Sequence, residues 1–377
     1  LGKEISLYVH IPFCDHKCIY CDFYSIITQE NRNSYISALE KEIHYVKSLL
    51  AVQRKISTIF FGGGTPSLMG PKFIGEILNY IHKNFNVTES AEITLETNPG
   101  TVTKEDFKEF KNLGINRISI GVQSFHDKDL KFLTRIHDRQ TAINSIRQAA
   151  ESGFENVNLD LIFNLPGQTK KEWIENLKTA VSLPVKHISA YSLILERGTI
   201  LNKLVLDGKV KIGDDDYDAD LYETTIDFLT QSGFRQYEVS NFCKEGYECK
   251  HNLAYWDHRE YVGLGPSAHS FLQGKRWWNF SSLKMYIDKI EKSGNAVRGE
   301  EKLSGNEMLE EFVMLALRSK GLNLNVFKSK FGNSWLEKKK KILDELKSGG
   351  MIYFTGDFIK LTKKGYSLCD EILLKII

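Results

Sequence analysis

The chain has 377 residues, 42% hydrophobic and 26% charged, with a net charge of +2. That length allows two domains, one large enough for a barrel, and the mix of apolar and charged residues is that of a globular protein rather than a disordered one. A charge this small argues against a strong field for nucleic acid or membrane, and no apolar run approaches the ~18 residues of a membrane span. The opening Leu1-Gly2-Lys3-Glu4 has no signal-peptide pattern. Six cysteines in so large a chain, three of them clustered, point to metal and a reducing compartment, so a cytoplasmic location is expected.

Strand-like and helix-like segments alternate from residue 5 to about 195. Strands are expected at 5–11, 56–61, 91–97, 116–122, 156–163 and 187–194, and helices at 31–50, 71–84, 103–112, 139–152 and 169–181. Such βα units in succession imply a parallel sheet. Side chains alternate with period two along a strand. Ala91, Ile93 and Leu95 oppose Glu92, Thr94, Glu96 and Asn98; Ile118, Ile120 and Val122 oppose Arg117, Ser119, Gly121 and Gln123. Val157, Leu159, Leu161 and Phe163 oppose Asn158, Asp160 and Asn164, and His187, Ser189 and Tyr191 repeat the pattern. A sheet with helices on both faces would show near-continuous apolar runs. One apolar and one polar face, strand after strand, predict a partial (β/α)6 barrel with helices outside and a polar interior.

The first strand runs into Cys14-Asp15-His16-Lys17-Cys18-Ile19-Tyr20-Cys21, a C-x3-C-x2-C spacing. Three thiolates leave one iron of a four-iron cluster without a protein ligand, and an open metal position permits chemistry. Structural zinc fits less well, because it takes four ligands, usually in pairs. Phe61-Gly62-Gly63-Gly64-Thr65-Pro66 closes the second strand. It matches no phosphate-loop pattern, and reads either as a tight turn or as backbone that lets a ligand approach closely. Glu96 and Gln123 stand at strand ends and Asp160 faces inward. Buried carboxylates need partners, and spacing alone leaves an internal ion pair and a ligand contact equally open.

The cysteine spacing resembles the signature of radical S-adenosylmethionine (SAM) enzymes, in which SAM chelates the open iron. Five further stretches resemble the oxygen-independent coproporphyrinogen III dehydrogenase group of that superfamily: Tyr8 to Cys14, Gly62 to Pro66, Glu96 to Pro99, Gly121 to Ser124 and Asp160 to Gly167. The resemblance covers residues 5 to 280 in order. It implies a [4Fe-4S] cluster on Cys14, Cys18 and Cys21. It also implies SAM contacts from Tyr8, Gly63, Gly64, Thr65, Glu96, Gln123, Arg135 and Asp160, with Tyr20 beside the adenine. His251-Asn252-Leu253-Ala254-Tyr255-Trp256 resembles the hallmark of the heme-chaperone branch, with His251 the candidate axial ligand of heme, or else a hydrogen-bonded brace of the fold. Cys243 and Cys249 are expected to be free thiols.

The last stretch has helical patterns at 305–318, 323–330 and 334–348, a hairpin and a final helix, a winged-helix-like α+β arrangement. Lys338 to Lys341 are expected on a solvated face. The expected division is 1–200 for the radical SAM barrel, 201–300 for an extension packed on it, and 301–377 for the winged-helix-like part. Two functions compete within the family: a chaperone carrying heme to acceptor apoproteins, membrane-associated respiratory proteins among them, and a dehydrogenase converting coproporphyrinogen propionates to vinyl groups. The dehydrogenase motif continues as C-x-C, where this chain has Cys21-Asp22-Phe23, and its arm precedes the first strand by tens of residues. The chaperone is therefore favoured. A nucleic-acid-binding winged helix with a structural cluster is a third reading, which the low charge disfavours.

Overall fold

The computed structural model describes residues 4–50 and 53–377; Leu1-Gly2-Lys3 of the opening lies outside the described residues. The first part contains β1 (Glu4–Ile11), α1 (Arg32–Leu49), β2 (Lys55–Gly63), α2 (Gly70–Asn84), β3 (Asn86–Thr97) and α3 (Lys104–Asn112). It continues with β4 (Arg117–Gln123), α4 (Asp127–Phe132), α5 (Arg139–Glu151), β5 (Asn156–Phe163), α6 (Lys170–Val181) and β6 (His187–Ser192). Strands β1 to β6 pair in chain order, all parallel. The alternation works as its pattern requires. Ile5, Leu7, Val9 and Ile11 of β1, with Ile118, Ile120 and Val122 of β4, are buried against the helices. Each such side chain contributes about 1.5–3 kcal/mol relative to exposure. The opposite face holds Ser6, Tyr8, His10, Glu92, Arg117, Asn158 and His187. This is the α/β partial barrel that the sequence predicts.

Residues beyond β6 are more regular than their sequence suggests. They form α7 (Ile200–Leu206), α8 (Asp215–Gln231), β7 (Arg235–Gln236), β8 (Asn241–Cys243) and α9 (Lys250–Trp256). Then follow β9 (Tyr261–Leu264), β10 (His269–Leu272), β11 (Lys275–Asn279), α10 (Leu283–Ser293) and β12 (Val297–Lys302). These strands extend both edges of the same sheet, whose order is β12-β11-β10-β9-β1-β2-β3-β4-β5-β6-β8-β7. Strand β9 lies parallel to β1, with Tyr8 opposite Gly263. A boundary proposed near residue 200 therefore divides parts of one sheet.

The remaining elements are α11 (Gly305–Leu317), β13 (Leu322–Asn323), α12 (Leu324–Phe331), α13 (Ser334–Ser348), β14 (Ile352–Thr355), β15 (Phe358–Leu361), α14 (Lys363–Ser367) and α15 (Cys369–Ile376). A helix, a short strand, two helices and a hairpin, with the small sheet ordered β13-β15-β14, make the winged-helix-like arrangement. Its core gathers Val313, Leu317, Leu322, Phe327 and Ile359.

One buried carboxylate joins α1 to the β9–β11 edge. Glu42 accepts hydrogen bonds from Gly265 N at 2.7 Å, Asn279 Nδ2 at 2.5 Å and the Tyr286 hydroxyl at 2.7 Å. Burial pushes this carboxyl up to about 7, and the three donors pull it back. Glu42→Ala would orphan all three donors at about 1–3 kcal/mol each. We expect the variant to lose about 3 kcal/mol or more in denaturant unfolding. A loss within ±0.5 kcal/mol, the ordinary range for a surface substitution, would show that Glu42 does not hold this edge.

Candidate functional site

The cysteines lie on a loop that closes on itself. Cys14 N donates to Ile26 O at 2.9 Å and Ile26 N to Pro12 O at 2.7 Å, so the segment between them returns to the end of β1. Strand ends fasten the loop from outside. Cys14 Sγ lies 3.4 Å from Thr65 Oγ1, which accepts from Asn98 Nδ2 at 2.7 Å. Asn98 Oδ1 in turn accepts from Arg135 Nη2 at 2.5 Å, and Arg135 Nη1 reaches Cys18 Sγ at 3.7 Å. A continuous polar arc thus runs from Cys14 through the ends of β2 and β3 to Cys18. Thr134, with φ 55°, accepts from Ile19 N at 3.2 Å and meets His16 Nε2 at 3.1 Å.

All three thiols are half-buried. Burial pushes the Cys14 and Cys21 thiols up, a cost that metal coordination of the thiolates reverses. The donor set is three soft sulfurs on one closed loop, with a guanidinium and a hydroxyl against two of them, and it fits an iron–sulfur cluster. Among the described residues no three such side chains converge on a single ion, and thiolates that ligate separate irons need not converge.

Glycines bring β2 to this loop. Gly64 N donates to Ile11 O at 2.8 Å and Thr65 N to Phe13 O at 2.7 Å. A Cβ at Gly64 would stand 2.6 Å from Phe13 O, and one at Gly63, where φ is +115°, would fall 2.7 Å from the His10 ring. The glycine run is a close approach between two backbones, and a side chain there would separate β2 from the cysteines.

Beside the loop lies a cavity of about 560 Å³ whose wall includes Tyr8, Tyr20, Gly63, Glu96, Gln123 and Asp160. Six of the residues expected to contact SAM thus share one space. Gly64, Thr65 and Arg135 belong to the cysteine side of the strand ends. Gln123 has φ 69° and Asn164 φ 58°, both at strand ends; non-glycine residues hold this backbone only where surroundings impose it, and such strain clusters at functional sites.

The cavity floor is a polar network. Asp160 accepts from Asn158 Nδ2 at 2.7 Å and Ser119 Oγ at 3.4 Å. Asn158 Oδ1 meets His187 Nδ1 at 2.5 Å, and His187 Nε2 meets the Tyr237 hydroxyl at 2.7 Å. Arg117, 2% exposed, carries positive charge among Glu92, Asp160 and Glu96. Removal from water, with repulsion from Asp160, pushes Glu96 up to about 8 against a bond from Gly63 N at 3.3 Å and the charge of Arg117. Burial also raises Asp160. Burial thus raises both carboxyls, and a cationic neighbour would favour their ionised form.

His251, the expected axial ligand of heme, is held by the fold through both ring nitrogens. It is 1% exposed, Nδ1 meets Thr58 Oγ1 at 2.8 Å and Nε2 meets the Tyr255 hydroxyl at 2.9 Å. With both nitrogens engaged it has no free lone pair for iron, and it braces Tyr255 against β2. Glu92 accepts from Lys250 N at 3.1 Å and His251 N at 3.0 Å, seating α9 inside the barrel. Sequence reasoning passed over Asn98, the link in the cysteine arc, and Arg117, the interior cation. Both sat on the polar face of their strands, so the alternation already marked them.

Residues 8–180 match the Radical SAM superfamily and residues 303–368 the HemN C-terminal domain. The chain is 36% identical over 371 residues to a protein of Bacillus subtilis (strain 168) named "Heme chaperone HemW", covering 97% of each. It is 33% identical over 377 residues to the protein of that name from Mycobacterium tuberculosis (strain ATCC 25618 / H37Rv), covering 99% of this chain and 94% of the other. The solved coproporphyrinogen III oxidase HemN of Escherichia coli superposes with a TM-score of 0.85 at 25% identity, over 99% of this chain and 89% of that one.

A buried carboxyl with a raised pKa stabilises the fold fully below its unfolded value, and that contribution is lost as pH rises through the folded value. The stability of wild type minus that of Glu96→Gln should therefore fall between pH 5 and about 8 and level off above it. Denaturant unfolding of SAM-free protein across this range measures the difference. A flat difference would mean that Glu96 ionises at its ordinary pH.

Proposed function

Because the chain belongs to the radical SAM superfamily and, within it, to the family of the relatives named heme chaperone HemW, we propose that it binds heme and delivers it to acceptor proteins. The observation that carries this reading is the identity with those relatives over nearly the full length of both chains. Its cofactors are a [4Fe-4S] cluster and SAM, which together supply one-electron reductive chemistry when bound. The acceptors we propose are apoproteins that need heme, membrane-associated respiratory proteins among them. No helix of the described residues is long and apolar enough to cross a membrane.

The residues divide the work of holding these groups. Cys14, Cys18 and Cys21 would ligate the cluster, with Thr65 and Arg135 stabilising sulfur charge through the arc that Asn98 completes. Glu96 and Asp160 would face the cationic amino and sulfonium groups of SAM, and Gly63 and Gly64 would offer it backbone. Tyr8 and Tyr20 would supply flat apolar walls, Tyr20 beside the adenine, and Gln123 a polar contact. Asp22-Phe23 replaces the C-x-C continuation of the dehydrogenase, and Phe23, 62% exposed, borders the cavity.

The likeness to HemN over 99% of the chain favours the dehydrogenase as a second reading. Binding and turnover separate the two. The cluster-loaded protein should bind hemin saturably in an anaerobic Soret titration and leave coproporphyrinogen unchanged in the presence of SAM and reductant. Turnover without saturable heme binding would install the second reading. Iron and sulfide analysis should find about four of each per chain, lost in Cys18→Ser. Stoichiometric zinc without iron after reconstitution would refute the cluster.

A further inference from the structure

A second cavity, of about 520 Å³, lies between α9, the β9–β11 edge and α11, and shares Tyr8, Asp22 and Phe23 with the first. Its wall is aromatic. Tyr255 and Tyr261 meet edge to face at 4.6 Å, and Phe271 stacks on His258 at 4.9 Å. A flat apolar ligand suits such a wall, and the volume falls in the range of a cofactor site.

Three imidazoles border this cavity, and two have buried side chains. His10 meets the Tyr8 hydroxyl through Nδ1 at 3.1 Å and Tyr24 O through Nε2 at 2.9 Å. The side chain of His258 is 5% exposed and stacked under Phe271, with Nε2 3.5 Å from Glu311 and without a hydrogen bond. His269 differs. It opens β10, is exposed, and lies nearly parallel to Trp278 at 5.9 Å. No hydrogen bond to either of its ring nitrogens occurs among the described residues. At the rim Arg259 has its nearest carboxylates at 4.0 Å, from Glu4, and 3.8 Å, from Asp257. An apolar wall, one open imidazole and a loosely paired guanidinium match a porphyrin disc with a central iron and peripheral carboxylates.

We propose that heme binds in this second cavity with His269 as its axial ligand and Arg259 at a propionate. The proposal rests on the heme reading above and specifies its site. His251 then acts through Tyr255, as a positioning residue behind the wall. This accounts for the H-N-x-x-Y-W string without asking a buried, doubly bonded imidazole to reach iron.

The test is a hemin titration into the full cluster-loaded chain, read by Soret position and affinity. His269→Ala should shift the Soret band and weaken binding by roughly tenfold or more, a loss of the size that disturbing a metal's surroundings causes. Added imidazole should restore the band, and the cluster spectrum should be unchanged. His251→Gln should keep the imidazole-ligated band. Arg259→Ala should weaken hemin binding but leave hemin dimethyl ester, which lacks the free carboxylates, unaffected. A wild-type Soret position and affinity in His269→Ala would overturn the assignment, as would loss of the band in His251→Gln with His269→Ala unaffected. Absence of saturable binding by the wild type would overturn the heme reading itself, and this site with it.

Discussion

Charge inside the barrel is the constraint from which the rest of the structure follows. Strands β3 to β6 turn Glu92, Glu96, Arg117, Asp160 and His187 inward, away from bulk water, where an unpartnered charge is expensive. The groups near the floor answer one another through Asn158, Ser119 and Tyr237. Glu92 spends its oxygens on the first amides of α9 and so draws that helix into the barrel. The groups nearer the mouth, Glu96 above all, are left with fewer partners, and there the larger share of solvation falls to a ligand. One inward-facing pattern thus closes one end of the barrel and makes the other receptive.

At the open end the strands act as a frame for a segment that has little regular structure of its own. Thr65, Asn98 and Arg135 come from different connections, yet they form one chain of contacts between two cysteines. Each depends on strand register: a slip of one residue in β3 would send Asn98 to the helix side. The glycines after β2 serve the same end, since β1 and β2 must be close enough for Thr65 to reach Cys14. Cluster geometry is in this sense a property of the sheet.

Much of this is legible in the sequence. Period-two alternation marked the inner face residue by residue, and the cysteine spacing marked the loop. What was not readable depended on contacts across long sequence distances. Tyr261–Leu264 is a short strand containing Gly263, with no periodicity to separate it from a turn, and only its pairing with β1 makes it part of the sheet. Glu42 sits on an amphipathic helix, where a carboxylate ordinarily faces solvent; its three donors arrive from residues 265 to 286. His251 shows the limit of a motif: membership does not reveal whether a nitrogen points to a cavity or to Thr58.

The pairing of β9 with β1 has a consequence for how the molecule is made. Strand β1 ends at Ile11 and β9 begins at Tyr261, so β1 acquires its second neighbour only after the whole stretch between them has been synthesised. Until then one edge of β1 carries open amides and carbonyls beside the cysteine loop, and exposed edges of this kind recruit other strands. Parallel pairing across such a separation is slow, because loop closure must precede any reward. Nascent chains would therefore spend their vulnerable interval with the metal-binding loop already displayed and its flank unsealed. Early occupation of that loop during translation would shield the open edge against misassembly, tying cofactor supply to folding yield.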